Sequence, residues 1–84
     1  MDEICKTVRG YILSEFLPGE DPSELTDETP LITGGVLDSL TTLKLVVFLE
    51  KRFDVAIEAY EAGVEHLDTV SRIADLVASK TRAA

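Results

Sequence analysis

The stretch Gly34-Gly35-Val36-Leu37-Asp38-Ser39-Leu40, followed without a break by a periodic apolar run to Phe53, decides how this chain is read. A glycine-bearing loop hands over to a helix at an acid and a serine. Both residue types are favoured N-caps, because a side-chain oxygen accepts from a first-turn N–H that has no partner inside the helix. The same unpaired N–H groups and the positive end of the helix dipole also favour an anion. A phosphodiester formed on Ser39 would have its charge compensated there. On these residues alone, plain capping and phosphate attachment both stand, and capping is the commoner use of such a pair.

Working outward, Leu40, Leu43 and Val47 share one face of a helix over Ser39 to Phe53, and Leu45, Leu49 and Phe53 share an adjacent one. Val46 and Phe48 make this helix apolar around most of its circumference, as suits a central position or a docking face. Upstream, Ile4, Val8, Tyr11, Ile12 and Phe16 recur at helical spacing, which predicts a helix from Asp2 to Leu17 with Asp2 as its N-cap and Pro18-Gly19 as its stop. Residues 18 to 38 form a loop too long to be an ordinary connection. Leu25, Leu31, Ile32, Val36 and Leu37 are placed to pin it to the core, with at most a turn of helix within it. Downstream, Ala59, Tyr60 and Val64 predict a short third helix with Gly63 near its end. Asp68 or Thr69 caps a last helix carrying Val70, Ile73, Ala74 and Val77, with Leu67 as a hydrophobic staple. The tail from Lys80 to Ala84 is expected to fray. No internal repeat or low-complexity tract interrupts the chain. The fold class is therefore all-α: a small four-helix bundle, three main helices plus a short third, with a long ordered loop between helices 1 and 2. One domain is expected over residues 1–84.

Composition narrows the function. Sixteen acids against eight basic residues give a net charge of −8, which repels phosphate backbones and anionic lipid, so neither nucleic acid nor membrane is an expected partner. A hydrophobic fraction of 45% is too high for a disordered acidic tail. Five acids fall within residues 20–28 and five within 54–68, without a basic residue in either segment, whereas helix 2 carries Lys44, Lys51 and Arg52 against Glu50. Cys5 is the only cysteine and falls on an apolar stripe, so it reads as a small buried hydrophobe. The chain lacks a signal-peptide pattern and an apolar run of membrane-spanning length, which gives a cytoplasmic expectation. Asp38, Ser39 and His66 do not assemble a hydrolase, because a domain this small offers little pocket and His66 sits by the last helix. The Glu20 to Glu28 run lacks the ligand spacing of a calcium loop, and no metal site is expected.

Asp38-Ser39-Leu40 opening a Leu/Val-rich helix that ends Phe53-Asp54-Val55-Ala56-Ile57 resembles the carrier-protein family, the acyl, aryl and peptidyl carrier domains. The resemblance extends over nearly the whole chain, through the Asp68-Thr69-Val70 start of the last helix. It implies that Ser39 is the attachment point for 4′-phosphopantetheine, with Asp38 and Leu40 completing the motif, and that the protein is a non-catalytic shuttle. The implied partners are a phosphopantetheinyl transferase, an adenylating or acyl-transfer loading enzyme, and downstream pathway enzymes. A monomer is the expected state. Fatty-acid-type carriers display an acidic helix 2, and this one does not. Docking is therefore expected through Leu43, Lys44 and Val47 with Glu58 and Glu61 nearby, in a stand-alone carrier of a specialised pathway. The alternative is a helical interaction module that is never modified and docks through helix 2.

Overall fold

The computed structural model describes residues 2–17, 19 and 25–83. Helix α1 spans Asp2–Phe16 and α2 spans Ser39–Phe53; a single 3-10 turn, Ala59–Glu61, leads to the short α3, Val64–Leu67, and α4 runs over Val70–Ala83. No strand occurs among the described residues. The all-helical bundle expected from the periodicity is the fold observed.

Burial follows the helical stripes. Val8 and Ile12 of α1, Leu45 and Leu49 of α2, Leu67 of α3, and Val70, Ile73 and Val77 of α4 are all fully buried in one core. Helix α1 packs chiefly on α4. Tyr11 of α1 stacks on Phe48 of α2 with ring centroids 3.9 Å apart and meets Phe16 edge-on, joining α1 to α2 by aromatic contact. Burial, and then the nearby Glu15 carboxylate, push the Tyr11 phenol above its ordinary 10.0. Cys5 is buried, in line with its place on the stripe.

The loop before α2 is a structural member. Leu25, Leu31 and Leu37 are buried, and Ile32 and Val36 pack against the same core. Residues 25–38 adopt turns and bends, with no turn of helix among them. A Cβ on Gly34 would collide with the Pro30 carbonyl oxygen, and Gly35 takes a φ of 83° that disfavours any other residue, so the Gly-Gly pair is needed for this turn. Pro18, Pro22, Glu20, Asp21 and Glu24 lie outside the described residues. Asp27 is not simply solvated: it pairs with Arg9, and its carbonyl accepts the Ser71 N–H of α4 at 3.0 Å.

Several boundaries are corrected. Helix α1 already includes Asp2, so Asp2 is not its cap, and the helix ends at Phe16. The third helix is split in two, with Gly63 as the N-cap of α3 instead of an end signal. Thr69, not Asp68, caps α4, its hydroxyl accepting the Arg72 N–H at 3.1 Å. That register puts Leu67 one residue too early for the staple, and it serves as core instead. The expected frayed tail is helical through Ala83, with the Lys80 ammonium 2.7 Å from the Glu61 carboxylate.

Asp68 clamps the loop. Its carboxylate accepts the N–H groups of Ile32 and Thr33, each at 2.9 Å, and the Thr33 hydroxyl at 3.0 Å. These bonds, the Thr33 N–H first among them, hold the carboxyl below its ordinary 3.8.

Candidate functional site

Asp38 and Ser39 divide the start of α2 between them. Asp38, in extended conformation, is the N-cap: its carboxylate accepts the Thr41 N–H at 2.9 Å, while its own N–H donates to the Thr41 hydroxyl at 2.7 Å. This reciprocal box satisfies two groups that would otherwise face water unpaired. The Thr41 N–H is the main reason the Asp38 carboxyl lies below its ordinary 3.8. Because Asp38 takes the capping role, Ser39 falls at the first helical position. Its hydroxyl is exposed and makes no hydrogen bond with any described residue. The capping alternative for Ser39 is thereby removed. The anion site proper is also altered, since the cap carboxylate already neutralises part of the first-turn potential.

Two open grooves begin at Ser39. One, of about 520 Å³, lies between the loop end and α3, where Leu37, Asp38, Ser39 and Thr42 face Ala62, Gly63 and Val64. The other, of about 430 Å³, runs along α2 from Ser39 past Thr42 and Val46 to Glu50, with Ile57, Ala59 and Ala62 opposite. At its far end the Glu50 carboxylate accepts the Ile57 N–H at 2.9 Å. The α2 edge next to these grooves is an exposed apolar ridge, with Leu40 at 61%, Leu43 at 58% and Val47 at 41% of full exposure.

The structure brings Ser39, Asp38 and Leu40 to one helix start, with Leu43, Lys44 and Val47 exposed along the same helix. Glu58 is exposed across the groove, whereas the Glu61 side chain is engaged within the fold. Its carboxylate is turned inward, accepting the Glu58 N–H at 2.9 Å and pairing with Lys80. Those partners, Lys80 first, hold it below its ordinary 4.5. His66 sits in the last turn of α3, half-buried, its own N–H donated to the Gly63 carbonyl at 3.1 Å. No cluster of ligating side chains fit for a metal occurs among the described residues. No described helix is long and apolar enough to cross a membrane.

Sequence reasoning overlooked Thr41, although the Asp38-x-x-Thr41 spacing carries the signal of a capping box. It also overlooked that Val64 is exposed along the groove at the loop end and that Tyr60 is exposed. Tyr60 is 80% exposed on a one-turn 3-10 segment, where helical periodicity has nothing to act on.

The start of α2 thus presents an exposed serine hydroxyl, without a hydrogen bond to any described residue, beside two open grooves. Comparison with known proteins identifies the family. Residues 12–77 match the family described as "Phosphopantetheine attachment site". A D-alanyl carrier protein of Streptococcus suis is 38% identical over 71 residues, covering 84% of this chain and 86% of that protein. One from Streptococcus uberis is 43% identical over 71 residues, covering 82% and 89%. One from Streptococcus sanguinis is 41% identical over 56 residues, covering 67% and 70%. The chain belongs to the phosphopantetheine-binding carrier family. It is a non-catalytic carrier, and its cofactor is 4′-phosphopantetheine. The residues at the start of α2 fit that group: an exposed, unbonded hydroxyl for the ester and an open path along α2 for the arm. When bound, the group supplies a terminal thiol able to hold an acyl chain as a thioester.

Proposed function

We propose that Ser39 is the attachment residue and that the protein carries a small aminoacyl group, D-alanine, to the enzymes of a specialised pathway. The observation that carries the first part is the Ser39 hydroxyl, exposed and unbonded beside an acid that has taken over the cap. In the attachment step the Ser39 oxygen attacks the pantetheine-side phosphorus of coenzyme A. The bond from that phosphorus to the nucleotide breaks, adenosine bisphosphate leaves, and the hydroxyl proton passes to a base of the transferase. Asp38 stays on the Thr41 N–H and keeps the first turn fixed while this happens. The carrier then raises the effective concentration of its cargo at each partner without making bonds itself.

Two considerations favour aminoacyl cargo loaded by an adenylating enzyme. The relatives above are named as D-alanyl carriers. The α2 surface also bears exposed Lys44 and Lys51 where a fatty-acid carrier would be acidic. Docking is assigned to the apolar edge at Leu40, Leu43 and Val47, with Lys44 beside it and Glu58 across the groove. The test is intact mass before and after incubation with coenzyme A and a phosphopantetheinyl transferase, and again after an adenylating enzyme with D-alanine. One phosphopantetheine, absent in Ser39→Ala, followed by one alanyl residue is the expected result. No addition with several promiscuous transferases would leave the unmodified interaction module as the better reading.

A further inference from the structure

We propose that the exposed face of α2 receives a partner protein whose contact surface is an apolar cleft rimmed with carboxylates, and that those carboxylates meet Lys44 and Lys51 on the side of the ridge away from Ser39. The proposal rests on the carrier reading of Ser39 and adds the chemistry and orientation of the partner.

The geometry comes from helix periodicity and the groove linings together. At 3.6 residues per turn, Leu40, Leu43 and Val47 form the crest. Ser39, Val46 and Glu50 fall on one flank, and Lys44, Phe48 and Lys51 on the other. The grooves agree with this division. Leu43 and Val47 line the groove that runs from Ser39 along α2 to Glu50, and they also line a third groove of about 450 Å³ shared with Tyr11, Lys44 and Phe48. The ridge therefore stands between a groove for the arm and a groove floored by the Tyr11–Phe48 stack. The Tyr11 hydroxyl, 3.4 Å from the Lys44 carbonyl, ties that floor to α2.

The charges fix the sign of the partner. In a chain of net charge −8, Lys44 and Lys51 are exposed and form no ion pair among the described residues, while Arg9 and Lys80 are taken up by Asp27 and Glu61. They lie seven residues apart on one flank, about 10 Å along the axis at ~1.5 Å per residue. The acid of this helix, Glu50, is on the opposite flank and engaged with the Ile57 N–H. Glu15 lies one helical turn beyond Tyr11 on α1, and the charged side chain that lines the third groove is Lys44 of α2. A partner with a basic rim would bring like charges onto the lysines, whereas an acidic rim is steered to them and seated with Ser39 on a known side. An apolar crest this exposed requires a complementary cleft.

The test uses phosphopantetheinylated protein and the adenylating enzyme that loads it, with kcat and KM measured across a range of salt concentrations. For the natural sequence, KM is expected to rise with salt. Lys44→Glu with Lys51→Glu is expected to raise KM by about tenfold or more, leave kcat in place and abolish the salt dependence. Lys44→Arg with Lys51→Arg should hold KM within about twofold, since charge is kept. If the glutamate pair unfolds on a thermal melt, Lys44→Gln with Lys51→Gln removes the charges more gently and should raise KM in the same direction. An unchanged KM in the charge-removing variants overturns the proposal, and a lowered KM overturns it in favour of a basic partner. Mass addition at Ser39 is read separately: failure there defeats the carrier reading, while normal addition with unmoved KM defeats only the docking surface.

Discussion

Replacing Leu31 with alanine tests whether the loop before α2 is part of the core. Leu31 is fully buried, its N–H donates to the Asp68 carbonyl, and its carbonyl accepts the Leu37 N–H at 2.8 Å. The substitution removes three carbons, which at ~0.8 kcal/mol per buried methylene is a transfer loss of about 2.4 kcal/mol. A cavity that collapses only in part brings the total to about 3–5 kcal/mol. At ~0.05–0.15 kcal/mol per residue, a chain of 84 residues has about 4–13 kcal/mol of stability in all, so the loss is a large share. The melting temperature should fall by about 12 °C or more, at ~4–8 °C per kcal/mol for a domain of this size. Leu40→Ala is the same chemical change nine positions away, on a side chain 61% exposed, and should cost no more than about 0.5 kcal/mol. Urea unfolding followed by far-ultraviolet circular dichroism measures both, with stability read from the midpoint at constant slope. A Leu31→Ala loss under about 1 kcal/mol, or one equal to that of Leu40→Ala, would refute the assignment of the loop to the core.

Ser39→Ala should abolish phosphopantetheine addition by mass yet leave stability within about 0.5 kcal/mol, because the exposed hydroxyl makes no hydrogen bond with any described residue and Asp38 is the cap. Asp68 has a native carboxyl value lowered below the 3.8 of the unfolded chain, so between the two values the unfolded state binds more protons. Its contribution is therefore fully present above the unfolded value and lost as pH falls through the native one. Asp68→Asn should remove that part of the acid limb of a stability–pH curve, while a limb identical to that of the natural sequence would count against the clamp. Lys80→Met should return the Glu61 carboxyl towards its ordinary 4.5 and speed amide exchange at Glu58, both readable by NMR. An unmoved Glu61 titration would mean that the ion pair does not hold the 3-10 turn.

The helices were legible because their signals are local. Val8 and Ile12, Leu45 and Leu49, and Ile73 and Val77 each stand four residues apart, one helical turn, and each pair is buried. The loop anchors were legible as apolar residues in a segment otherwise rich in Gly, Pro and acids. What escaped were interactions over long sequence separation. Asp68 looks like a helix cap from its neighbours, and only the folded chain brings Ile32 and Thr33 to its carboxylate. Glu61 looks like part of an acidic surface until Lys80, nineteen positions later, closes on it. The Lys80 to Ala84 tail looked unsupported because that same contact was invisible. At the site, the motif was legible but the division of labour was not, since Asp38 and Ser39 are equally good caps by type.

That division is what makes the site usable. Were Ser39 itself the cap, its hydroxyl would accept a first-turn N–H, and modifying it would cost the helix its start. With Asp38 on Thr41, the first turn is complete before any chemistry occurs. The oxygen that would be esterified then has no structural task. The approach is fixed from both sides, because Asp68 holds Ile32 and Thr33 while Leu31 and Leu37 anchor the loop that delivers Asp38. The result is a free hydroxyl on a rigid base. A carrier needs that combination if partners are to find the arm by docking on α2, because a fixed ridge can only report the arm's position if the helix start does not move. It follows that a substitution at Asp68 should disturb delivery of cargo more than addition of the arm. The hydroxyl stays accessible in either case, but the loop wall of the groove beside it, at Ile32 and Leu37, is no longer held in place.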